Sequence, residues 1–191
     1  MQHRIFLAPI APCVSWAEVQ AHWRTNHEAI MLELPGLAGY VQNRPRPEWW
    51  TRMPYVACAE TWFADRDAER AGFDSEWYHR EVEADEARMF AREAAWSSPV
   101  VETTTLREGS TARFRALAFG GSEERLAGFL LDGRAEALRL LHEPPGGGAP
   151  VVISVWTEHE ELAGAIAARL GGIAFVAEPA AALPPPQSPW S

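Results

Sequence analysis

The sequence predicts an α+β protein made of two ferredoxin-like halves, and three observations lead to this fold class. The apolar pattern of residues 1–107 gives the element order β-α-β-β-α-β, which is the split βαβ arrangement of the ferredoxin-like motif. The same order returns in shortened form over residues 111–178. The chain has 191 residues, of which 47% are hydrophobic, and can therefore bury the core of one large domain or of two small ones.

The first half opens with a predicted strand at residues 4–8, followed by a long helix. Ser15 and Glu18 have the spacing of a capping box, in which each side chain bonds a free backbone amide at the helix start. The apolar pattern then continues until Pro35, which cannot extend a helix. The predicted helix therefore spans residues 15–34.

The apolar face of this helix contains a histidine. Its apolar residues recur at helical spacing: Trp16, Val19, Trp23, Ile30 and Leu34. His27 fills the missing place in this stripe, so we expect it to be buried. His22 lies five positions earlier, which is about 140° around an ideal helix. The two imidazoles are therefore not expected to share a face, and since the sequence has no other Cys or His cluster, it predicts no metal site.

The remaining elements of the first half follow from their turn residues and alternation. Strands are predicted at residues 37–43, 55–63 and 98–106. Asp65 caps a second helical region, which breaks near residues 74–75 and resumes to about residue 90. A loop rich in Pro, Arg and Trp, residues 44–50, separates the first two of these strands.

The second half is expected to be structural. Its predicted strands span residues 113–119, 134–142, 151–156 and 173–177, and its predicted helices span 122–131 and 157–170. The shorter helix has no counterpart of Trp23 and His27, so we expect one functional pocket per chain, in the first half. Residues 179–191, with three consecutive prolines, are predicted to form a loose tail.

The composition excludes several classes of function. The net charge of −9 argues against a nucleic-acid partner, and no apolar run approaches the ~20 residues that a membrane span needs. All 17 basic residues are arginine, which excludes a Schiff-base lysine, a pyridoxal-phosphate anchor and a phosphate-loop lysine. Cys13 and Cys58 lack CxxC spacing, and the N-terminus has the pattern of a strand and not of a signal peptide. We therefore expect a cytoplasmic protein.

Several segments together resemble the EthD family. The resemblance is carried by residues 18–27 (EVQAHWRTNH), 34–37 (LPGL), 40–43 (YVQN), 59–63 (AETWF) and 83–90 (EADEARMF). It covers about residues 1–107.

The resemblance implies a dimeric α/β barrel, in which the four-stranded sheets of two ferredoxin-like units meet face to face. Because the second half of this chain has a predicted sheet of its own, we expect the two sheets to pack within one chain as a pseudo-dimer. A further homodimer through the outer surface is an additional possibility. The implied superfamily contains cofactor-free cyclases, decarboxylases, dehydratases and monooxygenases that act on aromatic substrates, and also haem-binding branches. The resemblance thus constrains the fold more than the function.

Three residues are candidates for acid–base catalysis. The EthD motif has a histidine at the position of His27, and imidazole exchanges protons near neutral pH; a satisfied core histidine is the alternative. Glu60 shares a strand face with Cys58 and Trp62, where a carboxylate is costly unless it is paired, so that an ion pair with an arginine is its alternative. Tyr40 could hold a phenol or carbonyl oxygen, or could simply pack in the sheet.

The candidate substrate-binding residues are aromatic or polar: Trp23, Gln42, Trp62, His22 and Phe90. Trp23 and Trp62 would form walls of a pocket between the sheet and helix 15–34, although tryptophans also suit a bulky core. Asp85 and His79 are expected on a solvated face or in a helix-end network.

The leading functional hypothesis is a cofactor-independent enzyme that acts on a small aromatic or polyketide-like molecule. Cyclisation, dehydration and decarboxylation fit such a site, and so does an oxygen-using step without a cofactor. The main alternative is a non-catalytic binding or accessory protein of the same pathway. Haem binding is a third hypothesis, which requires an axial ligand that faces an open pocket.

Overall fold

The computed structural model describes residues 1–105, 112–120, 137–144, 151–170 and 173–184. The chain divides into two compact units. The first comprises residues 1–44, 54–99 and 180–191, and the second comprises residues 45–53 and 100–179. None of the helices within the described ranges is long and apolar enough to span a membrane.

The first unit contains the elements predicted for the first half. Its strands are β1 (Gln2–Ala8), β2 (Leu37–Pro45), β3 (Ala57–Phe63) and the start of β4 (Trp96–Thr105). Its α-helices are α1 (Trp16–His22), α2 (Glu28–Leu32), α3 (Arg66–Phe73) and α4 (Glu83–Met89). Two π-helical segments, Trp23–His27 and Tyr78–Val82, lie directly before α2 and α4. The predicted helix 15–34 is therefore confirmed, with a π-helical segment in its middle.

Helix α1 begins as the sequence predicts. The Ser15 side chain accepts a hydrogen bond from the Glu18 amide, and the Glu18 carboxylate accepts one from the Ser15 amide. This reciprocal capping box satisfies two of the amides that a helix start leaves free. In the same way, the Asp65 carboxylate accepts a hydrogen bond from the Ala68 amide at the start of α3.

The sheet of the first unit has β3 in the middle, antiparallel to β1 on one side and to β2 on the other. Thr61 lies opposite Arg4 on β1 and opposite Tyr40 on β2. The next residue, Glu60, lies opposite Ile5 and Val41. Because side chains alternate along a strand, these two rows of residues lie on opposite faces of the sheet.

The helices pack on the face that carries Tyr40 and Thr61. The core on this side combines helix residues with small strand residues such as Ala57 and Ala59, and Trp23 is almost completely buried in it. Small side chains on β3 leave space above the sheet, which the indole of Trp23 helps to fill. Full burial of such a side chain stabilises the fold by roughly 1.5–3 kcal/mol.

The second unit contains an antiparallel sheet with the strand order β8-β5-β7-β6-β4. These strands are β5 (Phe114–Phe119), β6 (Ala137–His142) and β7 (Val152–Thr157), together with β8 (Ile173–Leu183) as far as Pro179 and β4 from Val100 onward. Helix α5 (Glu160–Leu170) packs its apolar face on this sheet. The segment 47–52, part of the loop between β2 and β3, forms a 3-10 helix. The predicted helix 122–131 lies outside the described residues.

The prediction of a loose tail from residue 179 is wrong for its first residues. Strand β8 continues to Leu183, and its residues Ala182 and Leu183, which belong to the first unit, pack against the apolar core of that unit. The gain from burying these apolar groups outweighs the weak strand propensity of alanine and proline.

Two glycine substitutions should test the packing of the helices. At Gly72 in α3, an added Cβ would lie 2.7 Å from the Pro35 carbonyl oxygen and 3.0 Å from the Phe63 ring. We expect Gly72→Ala to lower the free energy of unfolding by about 1–3 kcal/mol through overpacking. The matched change Gly164→Ala in α5, where a Cβ meets no atom within 4 Å, should raise it by about 0.5–1 kcal/mol. Urea unfolding of both variants measures the difference, and equal effects would contradict the packing described here.

Candidate active site

A cavity of about 320 Å³ lies in the first unit, between the sheet and the helices. Six of its thirteen lining residues are Phe, Tyr or Trp: Phe6, Trp23, Tyr40, Phe73, Tyr78 and Phe90. Polar side chains also reach it: Arg4, His27, Thr61, Glu86 and Ser97. The volume and the mixture of an apolar wall with a few polar groups are typical of small-molecule sites.

His27 lies at the wall of this cavity, where it is 3% exposed. Its Nδ1 lies 2.9 Å from Oδ2 of Asp85, and its ring meets the ring of Phe90 edge to face at 6.1 Å. Because an ionised carboxylate only accepts hydrogen bonds, Nδ1 carries the proton of the neutral ring, and the lone pair is on Nε2. This arrangement leaves Nε2 as a base that can serve the cavity.

Asp85 also binds a second histidine. His22 Nε2 lies 2.7 Å from Oδ1 of Asp85, so that one carboxylate joins two imidazoles. The expectation that His22 and His27 lie on different faces is therefore wrong. Residues 23–27 form a π-helical segment, whose hydrogen bonds join residues five apart and so bring positions 22 and 27 to the same side.

Of the two alternatives for Asp85, the solvated face is wrong, since this residue is 4% exposed. Its bond to His22 joins the last turn of α1 to the first turn of α4, which fits the helix-end network. Burial acts to raise its pKa, but the hydrogen bonds from His27 and His22 and their charges outweigh burial, and the pKa of Asp85 is lowered. Asp85 is therefore ionised at neutral pH. His79, in contrast, is exposed and joined to Glu83 one turn later, as expected for a helix-surface network.

Tyr40 and Trp23 line the cavity, whereas Gln42, predicted to bind substrate, is fully buried, is not among the lining residues and bonds to both. The Gln42 side-chain amide donates to the Tyr40 hydroxyl at 3.2 Å and to the Trp23 carbonyl oxygen at 2.7 Å. Burial raises the pKa of Tyr40 well above its usual range, against the hydrogen bonds from Gln42 and Trp23. Tyr40 is therefore a neutral phenol, which suits it to donate or accept a hydrogen bond and not to act as a base.

Glu60 and Trp62 do not reach the cavity, which corrects two predictions. Glu60 is bonded to His3 Nε2 at 3.0 Å and to the Asn43 side-chain amide at 2.9 Å, and the ring of Trp62 stacks on His3 at 4.3 Å. These residues lie on the sheet face opposite to the helices. Alternation correctly grouped Glu60 with Trp62, but which face the helices cover is decided only by the fold. His27 therefore pairs with Asp85 and not with the candidate carboxylate Glu60.

Sequence reasoning missed two charged residues of the cavity wall. Arg4 lies on β1 opposite Thr61 and donates to Glu69 Oε1 at 2.7 Å and to Ser97 at 3.0 Å. The sequence pattern assigned it to a strand and to no site. Glu86 follows Asp85 in α4 and is 7% exposed. Burial raises the pKa of Glu86 to about 7, although Arg92, 3.1 Å away, acts in the opposite direction. The alternation of β1 could have indicated Arg4, whereas no sequence signal separates Glu86 from the neighbouring acidic residues.

Within the ranges that the structure describes, no three His, Cys, Asp or Glu side chains are grouped closely enough to hold a metal ion. The two histidines at Asp85 bind opposite oxygens of one carboxylate and do not converge on a common point.

The comparison with known families agrees with the motif-based expectation. Residues 11–93 match the sequence profile of the EthD domain. This match contains His22, His27 and Asp85, together with most of the cavity wall. No curated protein matches the sequence of the chain.

Two solved structures are similar to the chain along almost its whole length. One is an anthrone oxidase-like protein, with a TM-score of 0.59, 9% identity, and coverage of 95% of this chain and 92% of that one. The other is a candidate chlorite dismutase, with a TM-score of 0.51, 9% identity, and coverage of 95% and 96%. Both are ferredoxin-like α+β barrel proteins, so the fold class predicted from the sequence is confirmed.

The raised pKa of Glu86 makes the free energy of unfolding depend on pH. A carboxyl whose pKa is raised by folding stabilises the folded state below its ordinary pKa of about 4.3 and loses this contribution as the pH rises through about 7. Between about pH 5 and pH 8, the wild type should therefore lose about 2–3 kcal/mol relative to Glu86→Gln. Urea unfolding of both proteins at the two pH values measures this difference.

Glu83→Gln is the matched control, because Glu83 binds the same Arg92. The hydrogen bonds from His79 and Arg92 lower the pKa of Glu83, so its contribution is lost only in acid and should stay constant from about pH 5 to pH 8. If Glu86→Gln and Glu83→Gln follow the same pH dependence, the assignment of the raised pKa to Glu86 is wrong.

Proposed function

We propose that this protein is a cofactor-independent enzyme that removes a proton from a small aromatic, polyketide-like molecule bound beside His27. The observation that carries this proposal is the pair of His27 and Asp85. Asp85 holds the proton of the ring on Nδ1, so that Nε2 is the basic atom at the wall of the cavity. A carboxylate that orients a histidine in this way also stabilises the imidazolium that forms when the base takes a proton.

The lining of the cavity supports a flat, aromatic substrate. Six aromatic rings surround a space of about 320 Å³, and stacked or edge-on contacts with such rings favour planar ligands. The anthrone oxidase-like protein with the same fold is named for a substrate of three fused rings. We therefore take anthrone as the probe of this class, since its acidic C–H group is conjugated with its carbonyl group.

The first step of the proposed reaction is the same for several outcomes. Nε2 of His27 takes a proton from an acidic C–H group, the C–H bond breaks, and the electron pair moves onto the conjugated carbonyl oxygen as an enolate. From there, cyclisation, loss of water or loss of carbon dioxide are the routes that we propose first. Tyr40 donates a hydrogen bond from the cavity wall, and Trp23 and Phe90 hold the rings.

Deuterium exchange tests this first step directly. In the absence of oxygen, the wild type should accelerate the exchange of the acidic C–H protons of anthrone in D₂O, followed by proton NMR. His27→Asn should lower the rate by roughly 10²–10⁴-fold because the base is lost. Asp85→Asn should lower it as well, because the ring then loses its orientation and the partner of its positive charge. His79→Asn, which changes an exposed histidine outside the cavity, should leave the rate unchanged.

The same experiment separates the alternatives. Binding of anthrone without accelerated exchange would identify a ligand-binding or accessory protein and contradict the proposed enzyme. Accelerated exchange followed by oxygen uptake in air would identify a cofactor-free monooxygenase. Full exchange activity in His27→Asn, with an unchanged melting temperature, would remove His27 from the mechanism.

A further inference from the structure

Helix α4 carries two neighbouring carboxylates with different surroundings. Successive residues of an α-helix point about 100° apart, and the side chains of Asp85 and Glu86 accordingly have different partners. Asp85 binds His27 and His22, whereas Glu86 lines the cavity and pairs with Arg92 at 3.1 Å. One turn of helix therefore supplies both the partner of the base and a second acidic group at the same cavity.

The surroundings of Glu86 favour its protonated form. Its side chain is 7% exposed and lies among the apolar and aromatic side chains of the cavity wall, with Tyr78 beside it. Burial raises the pKa of Glu86 to about 7 in spite of Arg92. A substantial share of the protein thus holds a neutral carboxylic acid at the cavity near neutral pH, while Asp85 is ionised.

Arg92 is shared between two carboxylates and is placed to compensate a change of charge. Its Nη2 donates to Glu83 Oε1 at 2.6 Å, and its Nε lies 3.1 Å from Glu86 Oε2. When Glu86 loses its proton, the guanidinium stabilises the carboxylate that forms. Because Glu83 already balances the charge of Arg92, Arg92 does not require Glu86 to be ionised.

We propose that Glu86 is the catalytic acid that works together with His27, and that the substrate is an aromatic ketone. This proposal rests on the proposed function and extends it. The Glu86 carboxyl O–H donates to the carbonyl oxygen of the bound ketone, while Nε2 of His27 faces the acidic C–H group. A site that has only a base forms a charged enolate. A site that also has an acid can form a neutral enol, which lowers the activation free energy.

The proposed step balances without a further reactant. The C–H bond of the ketone breaks and its proton forms the N–H bond of the His27 imidazolium. The electron pair moves through the conjugated rings to the carbonyl oxygen, which takes the proton of Glu86. The products are the enol, the imidazolium beside Asp85 and the carboxylate beside Arg92. Proton return from His27 to Glu86 through solvent restores the resting state.

The pH dependence of anthrone exchange tests this role. In the wild type, the rate should fall as the pH rises above about 7, because Glu86 ionises. Glu86→Gln should lower the maximal rate by roughly 10²-fold or more and should remove this fall. Glu76→Gln, which changes an exposed carboxylate that pairs with Arg80 outside the cavity, is the control and should keep the wild-type profile. A structural role of Glu86 would reduce the rate at every pH and leave the shape of the profile unchanged, which would overturn the proposal.

A second measurement reads the hydrogen bond without turnover. 9-Fluorenone is an aromatic ketone of three fused rings that has no proton to lose beside its carbonyl group. In the wild type at about pH 6, the infrared carbonyl stretch of bound fluorenone should shift to lower frequency than in water-free solvent. The shift should be lost in Glu86→Met and kept in Glu76→Gln, which changes only an exposed carboxylate outside the cavity. An unshifted carbonyl band in the wild type, or an equal shift in Glu86→Met, would overturn the role of Glu86.

The two proposals fail in different ways. If His27→Asn abolishes the exchange of anthrone while Glu86→Gln and Glu86→Met behave as the wild type, the role of Glu86 is wrong and the proposed function stands. If the wild type binds fluorenone with a shifted carbonyl band but does not exchange anthrone, Glu86 is a ligand-binding group and the proposed enzyme is wrong. If neither ketone binds, the aromatic-ketone class is wrong.

Discussion

The candidate site depends on one buried carboxylate. Asp85 accepts a hydrogen bond from His27 through one oxygen and from His22 through the other, and it thereby joins the long helical segment after β1 to helix α4. A buried carboxylate is costly unless it is bonded and paired, and these two histidines make its ionised form favourable. The same contacts fix the orientation of the His27 ring. Stability and the direction of the basic lone pair therefore have the same physical origin.

The two π-helical segments explain how these groups come together. An α-helix would place positions 22 and 27 on different sides, whereas the segment Trp23–His27 brings both toward Asp85. The second segment, Tyr78–Val82, directly precedes α4, which carries Asp85 and Glu86. Such segments are rare and frequent at functional sites, and here each of them lies beside a residue of the cavity wall.

Polar residues lie on both faces of the sheet of the first unit, but only those on the helix side line the cavity. On the helix side, Tyr40 and Thr61 lie at the cavity, next to aromatic rings and the charged Arg4. On the other face, Glu60 is satisfied by His3 and Asn43. Burial alone does not distinguish a functional carboxylate from a structural one. The difference is that Glu86 lines the same cavity as His27, whereas Glu60 is bonded to His3 and Asn43 on the other face of the sheet.

The sequence by itself determined the order of the elements, the capping box at Ser15, the burial of His27 and the EthD resemblance, because these depend on local spacing and periodicity. Only the tertiary structure decided that Asp85, and not Glu60, is the partner of His27. That pairing joins residues 58 positions apart. It depends on two local departures from α-helical geometry and on which sheet face the helices cover. Neither is encoded in a period of 2 or 3.6 residues, since both result from how the helices pack on the sheet.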